Sequence, residues 1–354
     1  MTQLADILIR RIAATGPITI ADYMTECLLH PEYGYYSTHD PFGTAGDFTT
    51  APEISQMFGE LLGLCIAQTW LDQGSPEEFT LAELGPGRGT LMADILRVTN
   101  SVPGFRDAAN LHLVEASETL RARQKGTLPT APVVWHNEVS TLPEAPLFLV
   151  ANEFFDALPI RQFSRNEAGW CERQVGIQNN KLTLGLSAPA PITLLSHRLE
   201  DTKPGDIVEL CPPAGPIVGS IAGRISKHGG CALVIDYGNW RSLGDTFQAI
   251  RNHKPVNPLD QPGQTDLTAH VDFEALSNAA TDVAISQMTT QGVLLERLGI
   301  TPRTQALAQS LRGKALEDHI SAHRRLTHMD EMGSLFKAIA LHPIGSLLPA
   351  GFGS

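Results

Sequence analysis

The stretch "LAELGPGRGTLMADIL" (residues 81–96) sets an apolar run, three glycines within five positions and a second apolar run in direct succession. That order predicts a strand, a tight turn and a helix whose apolar face includes Leu91, Met92, Ile95 and Leu96. Gly85, Gly87 and Gly89 let the backbone approach a ligand closely, and free amides at the helix start favour a negative group. The turn is therefore expected to face a nucleoside cofactor. Taken alone, a glycine run serves equally well as a simple chain reversal.

Outward from this turn, "FTLAEL" (79–84), "LHLVEA" (111–116), "PVVW" (132–135), "PLFLVA" (146–151) and "CALVID" (231–236) have the length and flanks of buried strands, and helical segments separate several of them. The alternation predicts parallel βαβ units in a doubly wound α/β sheet. "VAISQM" (283–288) and "LFKAIAL" (335–341) are expected as the last strands, with a helical insertion around 302–325 between them. Residues 160–186 alternate, with turn signals at "NEAG" and "QNN", and predict an antiparallel hairpin or meander. Before the sheet, Leu4, Ile7, Leu8 and Ile12 follow helical spacing, Thr19 and Asp22 are spaced as a capping box, and Pro52 is expected to open a strong helix. The expected organisation is a helical N-terminal cap over residues 1–75 with a loop that covers the cofactor. A catalytic domain follows over 76–354, with insertions at about 160–200, 240–275 and 300–330.

With 354 residues, 31 glycines, 24 prolines and 18% charged residues, the chain has the composition of an ordinary folded protein. A formal net charge of −12 argues against a broad basic surface for nucleic acid, whose binding depends on phosphate neutralisation. Cys27, Cys65, Cys171, Cys211 and Cys231 are scattered without metal-ligand spacing. Asp6, Arg10 and Arg11 interrupt any apolar signal core at the start, so the expected location is a reducing cytoplasm. No apolar run reaches the ~18 residues of a membrane span.

The glycine phase, G-x-G-x-G with Glu83 two residues ahead, departs from the dinucleotide fingerprint G-x-G-x-x-G. "ELGPGRGT" resembles motif I of class I S-adenosylmethionine-dependent methyltransferases, whose sheet is also doubly wound. The resemblance implies that Glu115, in "LHLVEAS", holds the ribose hydroxyls, a task suited to a carboxylate that accepts twice. It implies further that Asn137 or Glu138, in "HNEVSTLP", lies near the adenine amino group, with Glu83, Gly85, Gly87, Gly89 and Thr90 around the cofactor.

"GYYS", "GDFTTAPEISQMFGELLG", "ELGPGRGT", "ANEFFDALP", "VIDYG" and "DLTAHVDF" together resemble the MidA-like family, from about residue 16 to residue 340. That family includes the mitochondrial arginine methyltransferase that assists assembly of respiratory complex I. The resemblance implies a class I fold, S-adenosyl-L-methionine as cofactor, a protein substrate and symmetric dimethylation of an arginine in a complex I subunit. The [DN]-P-P-[YFW] motif of amide and DNA N-methyltransferases is missing, and "NEFF" stands in its place.

An arginine acceptor suits the residues after the fourth strand. Guanidinium carries a charge at any ordinary pH, so its nitrogen becomes nucleophilic only when that charge is drawn away from the attacking atom. Glu153 and Asp156, beside Asn152, lie three residues apart in a turn where both could bond one guanidinium. The same pair could simply close a loop. From "GDFTTAPE", Asp47, Phe48, Thr50 and Glu53 are expected to fold over the cofactor, or Thr50 and Glu53 to cap the helix at Pro52. His253, Asp266 and His270 match no usual metal-ligand spacing, and methyl transfer requires no metal. Three other readings share these residues: a methyltransferase acting on a small molecule, an assembly chaperone that binds S-adenosylmethionine without catalysis, and a nicotinamide-dependent oxidoreductase, which the glycine phase disfavours.

Overall fold

In the computed structural model, which describes residues 2–38, 49–251 and 254–353, the alternation of apolar runs and helices becomes a mainly parallel sheet. Its strands are β1 (Phe79–Leu84), β2 (Ala109–Val114), β3 (Val133–His136), β4 (Leu147–Asn152), β5 (Gly230–Asn239) and β6 (Phe336–His342), in the order β6-β5-β4-β1-β2-β3. β6 runs antiparallel to β5, and the other pairs are parallel. Every residue of β1 and of β4 is buried. A strand covered on both faces has no polar side to show, which explains their unbroken apolar runs. The expected class I methyltransferase fold is the one found.

Two compact units are formed, one of residues 49–155, 215–240 and 273–354, the other of residues 1–48, 156–214 and 241–272. This division differs from the expected boundary at residue 75. Helix α1 (Gln56–Asp72) packs against helix α2 (Thr90–Thr99) within the sheet-bearing unit. Phe58, Leu62 and Ile66 of α1 and Leu91, Met92 and Ile95 of α2 share one buried cluster with Leu81 and Phe148. The second unit carries the predicted meander, as Arg161–Asn166, Gly169–Gln178 and Lys181–Leu186, all antiparallel. Asn179 and Asn180 take positive φ at its "QNN" turn, which suits Asn. The helix Gln3–Thr15 buries Leu4, Leu8 and Ile12, and the Thr19–Asp22 capping box forms.

Three expectations are corrected. The helix opened by Pro52 is two helices, Ala51–Ile54 and α1, because Ser55 is extended (φ −159°) and its hydroxyl caps Met57 N–H at 3.2 Å. "VAISQM" contributes only the two-residue strand Ala284–Ile285. Residues 242–273, read as irregular, hold a three-stranded sheet of Gln248–Arg251, Lys254–Val256 and Asp266–Thr268. Among the described residues no helix is long and apolar enough to cross a membrane.

The pairing of β4 with β5 depends on one glycine. Gly230 has φ +106°, and a Cβ there would lie 2.0 Å from the Leu147 carbonyl oxygen. Gly230→Ala meets both a disfavoured backbone angle and a main-chain clash, so it should cost about 2 kcal/mol or more. Urea titration checks this: a lower midpoint with unchanged slope is expected, and an unchanged midpoint would remove the constraint.

Candidate active site

The chain leaves β1 towards β2 and β3, then returns to β4 on the other side of β1. Open α/β sheets bind ligands beyond the carboxyl ends of the strands at such a reversal. Leu84 pairs with Val114 of β2 and with Ala151 of β4. Gly85, Glu115 and Asn152 therefore emerge at one edge, from three adjacent strands.

Gly85, Gly87 and Gly89 have φ of +58°, +52° and +82°, all in the left-handed region that glycine enters without steric cost. A Cβ on Gly85 would sit 3.0 Å from Cδ2 of Phe154, so the turn after β4 presses on the glycine turn. Helix α3 (Glu118–Thr127) supports the other side through Gln124, which is fully buried. Its Nε2 donates to the Gly87 carbonyl at 2.9 Å and to Glu115 Oε2 at 3.3 Å, while Trp135 Nε1 donates to its Oε1 at 2.8 Å.

Glu115 is fixed from several directions. Its Oε1 accepts from Ser117 N–H at 2.8 Å, its N–H donates to the His136 carbonyl at 2.9 Å, and Arg121 donates to its carbonyl through Nε and Nη2. Burial pushes its carboxyl up to about 7, against the pull of the Ser117, Gln124 and Arg121 contacts. Burial raises Glu83 further, to about 8, with a Met92 backbone bond opposing it and the Glu115 charge adding to it. Glu83 Oε2 is buried with no hydrogen-bond partner among the described residues. These acceptors, one in β1 ahead of the positive-φ turn and one at the end of β2, suit a ligand rich in hydroxyl and ammonium donors.

Of the remaining expected cofactor residues, Thr50, Thr90, Asn137 and Glu138 are described. Asn137 and Glu138 are exposed, Asn137 Oδ1 accepting from Arg121 Nη2 at 2.5 Å and Glu138 Oε2 from Ser140 Oγ at 3.1 Å. Thr90 Oγ1 donates to Glu53 Oε1 at 2.6 Å. Thr50 makes no side-chain cap bond, so the expected Thr50–Glu53 cap does not form, and Glu53 reaches α2 instead. Asp47, Phe48 and His253 lie outside the described residues.

At the end of β4, Glu153 takes φ +52°, a strained angle for a residue other than glycine. Its Oε1 accepts from Ala51 N–H at 3.2 Å and from Asn152 Nδ2 at 3.1 Å. Asn152 is buried, and its Oδ1 has no hydrogen-bond partner among the described residues. Asp156 belongs to the other unit, where its carbonyl accepts from Ala269 N–H at 3.0 Å. In that unit Tyr36 donates its hydroxyl to Asp266 Oδ1 at 2.9 Å, and His270 N–H donates to Thr246 Oγ1 at 2.8 Å. Burial, Asp266 and Asp156 together hold the Tyr36 hydroxyl well above its usual range.

Sequence reading passed over four residues at this edge: Arg121, Gln124, Phe154 and Asp236. The first two lie on α3, whose polar positions announce nothing until α3 packs beside the turn. Asp236 stood inside the quoted "VIDYG", but nothing in that run says where its side chain points.

Residues 61–293 match the family model of an S-adenosyl-L-methionine-dependent methyltransferase. The chain belongs to this family. S-adenosylmethionine is accordingly its cofactor. It is 36% identical over 365 residues to the protein named "Protein arginine methyltransferase NDUFAF7, mitochondrial" of Xenopus tropicalis, covering 95% of this chain and 85% of that one. The human protein of that name is 36% identical over 372 residues, with 97% and 84% covered. A crystal structure from Burkholderia thailandensis, bound to S-adenosylhomocysteine, superposes with a TM-score of 0.83 at 29% identity, over 99% of this chain and 92% of that one. The expected cytoplasmic location is overturned by these relatives, which are named as mitochondrial.

Both buried carboxyls are raised above an ordinary value of 4.5. Their neutral forms therefore favour the folded state fully below about pH 4.5, and that contribution is lost as pH rises through about 7 for Glu115 and about 8 for Glu83. Without cofactor, Glu83→Gln should lose less thermal stability than the parent as pH rises from about 4.5 to about 8. Parallel melting curves for the two would return Glu83 to the ordinary carboxylate range.

Proposed function

We propose that this methyltransferase modifies an arginine side chain of a protein, and that the protein is a respiratory complex I subunit. The observation that carries the acceptor assignment is the Asn152–Glu153 pair at the end of β4. Asn152 Nδ2 donates to Glu153 Oε1, which fixes the carboxylate and leaves Asn152 Oδ1 as a buried acceptor. A guanidinium supplies planar, forked N–H donors that match two neighbouring acceptors. The names of the relatives support arginine, and the net charge of −12 suits a basic segment better than a nucleic acid.

Bound S-adenosylmethionine supplies an electrophilic methyl group on a sulfonium. In this reading Gly85, Gly87 and Gly89 allow its close approach, and Glu83, Thr90, Glu115, Asn137 and Glu138 hold its polar groups. Asp47 and Thr50 belong to the segment expected to cover it. Glu153 draws the positive charge of the acceptor towards its carboxylate, leaving the opposite guanidinium nitrogen richer in electrons. The rest of the task is alignment, because methyl transfer needs donor and acceptor in line and little else from the protein. The expected partnership of Glu153 with Asp156 joins residues of different units, so the proposal rests on Asn152 and Glu153.

Glu153→Gln keeps the shape and removes the charge. Leaving a buried cation without its partner costs roughly 2–5 kcal/mol. At ~1.4 kcal/mol per tenfold, turnover should fall tenfold or more. S-adenosylmethionine affinity should stay near the parent value, since the glycine turn and Glu115 are untouched. Methylation of complex I subunits, followed by mass spectrometry beside calorimetric titration of the cofactor, checks both. Normal methylation by the variant would sink the acceptor assignment, and loss of cofactor binding would move Glu153 to the cofactor site.

A further inference from the structure

The turn after β4 is held by the neighbouring strand rather than by itself. Glu153 N–H donates to the Ile235 carbonyl of β5 at 3.0 Å, and Phe155 N–H donates to Asp236 Oδ2 at 3.0 Å. Asp236 is fully buried, and its Oδ1 accepts from Tyr237 N–H at 2.9 Å. The turn is thus pinned twice to β5: at Glu153 itself, φ +52°, by the main-chain bond to Ile235, and two residues on by the Asp236 carboxylate. A non-glycine residue stays in the left-handed region only where its surroundings over-determine it. Between the two bonds sits Phe154, the residue that bears on Gly85. The same four-residue turn therefore contacts the glycine turn and carries the acceptor acid.

We propose that Asp236 is a positioning residue for the methyl transfer, acting through the Asn152–Phe155 turn to keep the Glu153 carboxylate aimed at the acceptor. It touches neither substrate nor cofactor in this assignment, which rests on the reading of Glu153 given above. Its work is to accept a main-chain N–H that Asn in its place would meet with one oxygen fewer. In Asp236→Asn an amide N–H₂ must face either the Phe155 or the Tyr237 N–H, so one of the two bonds is lost. The turn then relaxes towards ordinary φ, and Glu153 moves with it.

The experiment is a double-mutant cycle of Asp236→Asn and Glu153→Gln, with kcat, KM and S-adenosylmethionine affinity measured for each protein. Misplacing a reacting group by about 1 Å costs up to about a hundredfold, so Asp236→Asn should lower kcat about tenfold or more. Its cofactor affinity should stay within about threefold of the parent, and the double variant should be no slower than Glu153→Gln alone, as groups acting as a unit behave. Losses that multiply, or an unchanged kcat in Asp236→Asn, would overturn the proposal. Normal turnover in Glu153→Gln alone would instead overturn the acceptor reading beneath it. Should Asp236→Asn fail to fold, Asp236→Glu carries the same comparison: it retains the charge but displaces the carboxylate by one methylene, and kcat should drop with cofactor affinity retained.

Discussion

β4 lies between β1 and β5, and the level at which it pairs with both governs the site. A strand buried on both faces can satisfy its main-chain groups only through its neighbours, so its register admits no slip. Leu84 is paired with Ala151, and Ile235 with Asn152, which brings the glycine turn, the Asn152–Phe155 turn and Asp236 to one edge. Gly230 permits the approach at the opposite end, where β5 begins against Leu147. Each functional feature is a consequence of where three buried strands stop.

That edge is also where the fold tolerates what it avoids elsewhere. Two carboxyls are buried close enough for the charge of Glu115 to disturb Glu83, and a glutamate adopts a backbone angle suited to glycine. Ionised, the buried carboxyls cost the folded chain stability, as does the strained backbone angle. Such groups persist where the surrounding contacts over-determine them: Gln124 and Ser117 for Glu115, Ile235 and Asp236 for the turn that holds Glu153. The supporting residues are themselves buried or main-chain groups, which gives the site a rigid rear wall.

The elements legible in the sequence are those set by local pattern. Apolar runs with turn signals gave β1 to β5 to within a few residues; for β1 and β4 the reason is that a doubly covered strand leaves a continuous apolar segment. The meander and the Thr19–Asp22 box were likewise legible, since alternation and capping spacing act over a few residues. Pro52 misled for the converse reason: it favours a helix start, but nothing local announces that Ser55 will extend and start the chain again as α1. Glu53 misled similarly, being spaced for a cap yet bonded to Thr90 on α2.

The sequence by itself determined the class of fold and the place of the glycine turn and the strand-end acids along the chain, because glycine spacing and strand-end residues are local properties that the chain carries into any folded context. Tertiary structure alone decided which acids stand together. Asp156, three positions from Glu153, falls into a different compact unit, whereas Asp236, far along the chain, bonds the turn that holds Glu153. Hydrogen bonds reach about 3 Å in space regardless of separation along the chain, so only strand order and register could say which side chain meets which main-chain group.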